Sequence, residues 1–199
     1  MTDALDTAET GWDPLEISAP RVGRFVFVER RLFEIVGGWV ESTHDDETAT
    51  LFAVQSRHHG WYAEVLDELV FGFGDHTRDS LVRSPGPGFD AFLVHLAAID
   101  GGSAEARLAA LHRVAASHAL AAHRAHRARL SAVADPAAAR RFDRVIDDEV
   151  IDGVAGAALL ARRTATPAGR DVADAAAAAA GASLQSSEGI SGDGLLFIS

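Results

Sequence analysis

The residues most able to do chemistry lie on one face of one stretch. Between Glu47 and Leu69, Gln55, His58, His59 and Tyr62 follow one another at i, i+3, i+4 and i+7. At about 100° per residue they share a helix face with Leu51, Phe52, Val65, Leu66 and Leu69. Polar groups inside an apolar stripe are costly unless something satisfies them. A metal ion, a proton relay or a buried hydrogen-bond network would each do so. Two carboxylates stand out in the same way on other stretches. Glu29 lies within about 60°, and Glu149 within about 30°, of the centre of its own apolar stripe, with Asp152 on the flank of the Glu149 face. A further stretch carries His112, His118, His123 and His126, with His126 nearest its apolar face, His118 on one edge, and His112 and His123 on the other. Carboxylates and imidazoles together are a ligand set for iron or another divalent ion.

Four long helices are expected to position these groups. The first runs from Val22 to about Glu41, with a stripe of Phe25, Val28, Leu32, Ile35, Val36 and Trp39. The turn Ser-Thr-His-Asp-Asp is short, so the second helix must return antiparallel, with Ser42, Thr43 or Asp45 as its cap. Glu29 and the Gln55–His59 group then stand at matching heights on either side of that turn. The interval from Phe71 to Ser103 is broken by Gly72, Gly74, Pro85, Gly86, Pro87 and Gly88, holds a short helix from Phe89 to Ile99, and can cross a whole helix length. A third helix is expected from Ala104 to Ala134. Asp135-Pro136 restarts the chain into a fourth, Ala137 to about Arg163. Residues 1–20 read as a flexible polar lead-in, 21–165 as the helical domain, and 166–199 as an Ala-rich helix with a Gly/Ser-rich tail ending in apolar residues.

Composition narrows the function classes. The 199 residues are 48% hydrophobic, Ala-rich and without cysteine, which favours an all-α core and excludes disulfides, thiolate metal sites and Cys nucleophiles. Lys and Arg number 18 against 29 Asp and Glu, a net charge of −11 that repels nucleic acid and anionic membranes. The basic run His118 to Arg129 lacks interleaved aromatics and reads as a solvated helix face. An acidic start without a basic or apolar leader, and no run of about 20 apolar residues, point to a cytoplasmic protein without membrane partners. No Gly-x-Ser-x-Gly elbow, phosphate loop or dinucleotide fingerprint is present.

Two antiparallel helices, a long crossover and two more antiparallel helices is the connectivity of ferritin-like bundles. Residues 22–163 resemble that superfamily, and within it the carboxylate di-iron proteins and the tRNA-hydroxylase-like branch. Glu29 matches the first-helix ligand, and Gln55-Ser-Arg-His58 matches Glu-x-x-His with Gln for Glu. Glu149-Val-Ile-Asp152 matches the fourth-helix motif with Asp for His, while the third helix offers His rather than Glu. The resemblance implies an all-α, ferritin-like four-helix bundle and a metal-dependent oxidoreductase or hydroxylase-like activity, with dioxygen or another small molecule as partner. The metal-site candidates are Glu29, Gln55, His58, His59, His118, His126, Glu149 and Asp152. Three occupancies stay open: one iron or other divalent ion, two irons, or no metal and a hydrogen-bond network in a non-catalytic scaffold that docks a partner or a second copy of itself. Among the plain readings, Glu29 could line the bundle edge, one of His58 and His59 an interface, and Glu149 could pair with a His or Arg of the third helix.

Overall fold

In the computed structural model, residues 11–187 and 189–192 are described, and among them the regular elements are all helical. Helices α1 (Leu15–Ser42) and α2 (Asp46–Asp67) come first. The short α3 (Arg78–Leu81) and α4 (Pro87–Ala97) follow in the crossing segment. Then α5 (Ala104–Ala110), a π-helical turn (Leu111–Ala115) and α6 (Ala116–Ala128) run on as one interrupted rod. Helices α7 (Pro136–Arg163) and α8 (Pro167–Gln185) complete the order. No helix among the described residues is long and apolar enough to cross a membrane.

The first helix starts earlier than its apolar stripe predicts, at Leu15, and runs through Pro20. The lead-in is therefore helical from Leu15 onward. The reason lies in Asp13, which pairs with Arg21 and accepts from Arg129 Nε at 2.6 Å, while its own N–H donates to the Arg129 carbonyl at 3.1 Å. One ion pair and a backbone bond thus hold the chain just before the helix against the end of α6, and the Arg21 pair ties it to α1 itself. Residues 1–10 and the apolar end of the tail lie outside the described residues.

Asp45 caps α2 by accepting from Thr48 N at 2.8 Å, and Asp135 caps α7 by accepting from Ala138 N at 3.0 Å, with Pro136 just inside. Paired residues give the directions. Glu29 meets His59 across α1 and α2. Arg141 meets Glu68 and Arg162 meets Glu47 across α7 and α2, so both of these pairs of helices are antiparallel. Helix α6 packs against α7 and touches α1, closing a ring of four rods. Arg107, at the start of the third rod, donates to the Trp39 carbonyl at 3.2 Å and to Thr43 Oγ1 at 2.9 Å. The chain after α2 has therefore travelled the length of the molecule back to the α1–α2 turn. Gly37 allows α1 and α2 to close up, since a Cβ there would stand 2.9 Å from Ser56 Oγ.

Phe25, Phe52, Phe142, Trp39 and Leu66 fill the space between the rods. Helix α8 lies outside the ring, where its buried Ala173, Ala180 and Leu184 face α5 and α4. One expectation fails at the end of a rod. The third stops at Ala128 instead of Ala134, leaving Val133 89% exposed.

Candidate metal centre

Each of the four rods contributes to one buried cluster at mid-height. Glu29 from α1 and His123 from α6 are fully buried, and His59 from α2 and Glu149 from α7 nearly so. His59 Nδ1 lies 2.6 Å from Glu29 Oε2, and His123 Nδ1 lies 3.0 Å from Glu149 Oε2, both hydrogen-bond distances. Between the two pairs is a gap. His123 Nε2 stands 4.0 Å from Glu29 Oε1, too far for a hydrogen bond, and neither atom has another partner among the described residues. One ligand atom each from Glu29, His123 and Glu149 falls within 4.8 Å of the others.

Around this cluster sits a second layer on α2 and α7. The Asp152 carboxylate accepts from Tyr62 Oη at 2.9 Å and lies 2.9 Å from His58 Nδ1. Gln55 Nε2 donates to the Asp152 carbonyl at 3.0 Å, which leaves Gln55 Oε1 buried and unpartnered. His58 is half-exposed and seals the surface side of Asp152, so of the adjacent histidines His59 is the inward one. Two other candidates stand apart. His118 looks outward to the segment after α8, its Nε2 accepting from Ile190 N at 3.4 Å. His126 is fully buried one turn beyond His123, but between the rings of Phe25 and Phe142 rather than among carboxylates.

The helical wheel underrated His112 and His123, and the π-helical turn explains why. A turn with i→i+5 bonds inserts one extra residue, so the faces before and after it differ by about 100° from an unbroken helix. Downstream of it, Ala119, Ala122, His123 and His126 all point inward. Within it, His112 reaches the cluster from the side, its ring laid over Gly156 of α7. A Cβ at Gly156 would stand 2.0–2.3 Å from three atoms of that ring. The available signal was a glycine inside the apolar stripe of α7, where alanine would serve a helix better.

No family profile, curated protein or solved structure matches this chain. What the centre can hold must be judged from its donors.

Burial lowers the pKa of His59, but Glu29, with Glu149 and Asp152 behind it, more than reverses this and raises it above the ordinary value. Burial likewise opposes charge on His123, and the Glu149 and Glu29 carboxylates outweigh it, so its proton is held to higher pH. Burial raises the Glu149 carboxyl in spite of His123. His112 is the opposite case, pushed down to about 4, chiefly by burial. Burial, then Asp152, raises Tyr62, which stays a neutral donor. In the core each of the two imidazoles is paired with one carboxyl group. Glu29, His123 and Glu149 are the residues that would hold a divalent ion here.

Proposed function

We propose that this chain is a ferritin-like helical protein whose core holds a single divalent transition ion, iron foremost, on Glu29, His123 and Glu149. One observation carries the reading: two buried, unpartnered atoms of opposite character, Glu29 Oε1 and His123 Nε2, face each other at 4.0 Å. A divalent ion held by these residues would satisfy both atoms. Mixed carboxylate and imidazole donors suit iron, manganese or zinc. A pair of irons fits less well. The third rod brings imidazole where a bridging carboxylate is wanted, Gln55 is neutral, and Asp152 is engaged by Tyr62 and His58. The antiparallel pairs joined by a crossing segment support the ferritin-like reading of the scaffold. Bound iron would supply redox chemistry at positions the protein leaves open, which makes the activity that of an oxidoreductase.

In the second reading the scaffold is metal-free and non-catalytic. The two imidazole–carboxyl pairs favour it, because each is already closed by a hydrogen-bond contact. Metal analysis by mass spectrometry separates the two. Protein from iron-supplemented cells should carry about one ion per chain, and Glu149→Ala should lower this severalfold. A content below roughly 0.1 per chain, unchanged in Glu149→Ala, would end the metal reading.

A further inference from the structure

Beside the centre lies a cavity of about 20 Å³, lined by Gln55, His59, Tyr62, His112, Glu149 and Asp152, with Leu111, Ala116 and Gly153 as its apolar wall. That is room for about one water molecule or a molecule slightly larger. Its polar wall is unsatisfied. Gln55 Oε1 is held facing inward because the amide nitrogen of the same side chain is committed to the Asp152 carbonyl, and it has no partner among the described residues. Both ring nitrogens of His112 are buried and equally unpartnered. A neutral imidazole offers one donor and one acceptor, and an amide oxygen only accepts. Whatever fills the space must therefore donate a hydrogen bond as well as accept one.

The wall is built rather than left over. His112 stands there because the π-helical turn swings it out of the regular helix and because Gly156 gives up the volume of a side chain to its ring. Each departure costs helix stability, and they meet at one imidazole whose nitrogens have no partner among the described residues. A second cation is not the expected occupant, because His59, His112 and Asp152 do not bring one ligand atom each within 4.8 Å of one another. Half-exposed His58 stands over the Asp152 wall, its Nδ1 2.9 Å from the carboxylate.

We infer that the cavity between Gln55, His112 and Glu149 binds one small hydroxylic molecule of two non-hydrogen atoms, of the chemical class of hydroxylamine or hydrogen peroxide. Its oxygen-bound hydrogen is donated to Gln55 Oε1 or to the acceptor nitrogen of His112, and its lone pairs receive the imidazole N–H. The inference deepens the metal reading, since Glu149 belongs to both the cavity and the ion's ligand set, and it names the small-molecule side of that site. Binding itself needs only the protein's own groups and is measurable without the ion.

The test is a titration of metal-free protein, labelled with ¹⁵N in its histidines, with hydroxylamine at pH 7.5, where the probe is neutral. The His112 signals, assigned by their loss in His112→Gln, should shift saturably, with a dissociation constant on the order of 10 mM, the range open to a ligand of two heavy atoms. Gln55→Leu removes the acceptor at nearly constant volume and should weaken binding at least about fivefold. Gly156→Ala should displace the ring and abolish the saturable shift. Azide, a linear three-atom anion with no hydrogen to donate, should give none. A linear, non-saturating response of the folded wild-type protein overturns the inference, as does unchanged affinity in Gln55→Leu or equal binding of azide. Metal content measured on the iron-grown parent preparation keeps the two readings apart. A chain that retains its ion but ignores hydroxylamine loses the pocket and keeps the metal centre, and the reverse result does the opposite.

Discussion

His123 and His126 sit one turn apart on α6, equally buried, in opposite electrostatic surroundings. His123 has Glu149 at 3.0 Å and Glu29 at 4.0 Å, and keeps its proton above the ordinary histidine range. His126 lies between Phe25 and Phe142, with ring centroids 5.5 and 4.8 Å away, and burial drives its pKa down to about 3. The comparison teaches that burial alone does not decide charge here. Desolvation opposes the imidazolium at both positions, and only the level that holds two carboxylates overcomes it. A cation is therefore favoured at one level of the core and excluded from the next.

The hardest test of this contrast is Glu29→Ala. It removes the carboxylate shared by His59 and His123 and should cost about 3–5 kcal/mol, as breaking a buried pair does. Chemical denaturation at pH 7 measures it. A loss below about 1 kcal/mol would place water, not an ion pair, at the centre of the site.

Acid should separate the two levels next. His126 has a folded pKa of about 3 against 6.5 in the unfolded chain, so between those values the unfolded state binds more protons. Its contribution is complete above pH 6.5 and is lost as the pH falls towards 3, at up to about 1.4 kcal/mol per pH unit. His59 and His123, with raised folded pKa values, work the other way. Their contribution is present below pH 6.5 and is lost as the pH rises through the folded values. Denaturation midpoints of wild type and His126→Phe across pH 4–7 check the sign. The variant should lose part of the acid-side slope, and an unchanged slope would show that His126 does not govern it.

Gly156→Ala should destabilise by about 1–3 kcal/mol, the usual cost of overpacking, even though alanine is the better helix former. A neutral or stabilised variant in thermal unfolding would mean that the His112 ring moves aside freely. The smallest effect is expected from His126→Phe at pH 7, within about 1 kcal/mol of wild type, because neither ring nitrogen has a hydrogen bond to lose. The same measurement on His123→Phe should show a loss several times larger, since Glu149 would be left unpaired.

Inward-pointing Glu29, Gln55 and Glu149 were legible in the chain because α1, α2 and α7 are unbroken, and a constant angle per residue carries a side chain's direction along such a helix. His58 and His59 were harder. Neighbours about 100° apart cannot both face the axis, and the choice fell to whichever met Glu29. His118 was drawn into the candidate set by an apolar edge of the third rod. That edge serves the segment after α8, whose position the periodicity of the rod does not announce. The early start of α1 rests on Asp13 meeting Arg129, a pairing between residues far apart in the chain.

The sequence by itself determined the helical class, the antiparallel turns, the Asp135 cap and three inward polar side chains, because local spacing and capping chemistry act within a few residues. Only the tertiary structure decided that His123 completes the cluster with Glu29 and Glu149, and that His112 turns over Gly156. Those placements follow from a π-helical turn that resets the phase of one rod, and from contacts between helices that no single helix's periodicity contains.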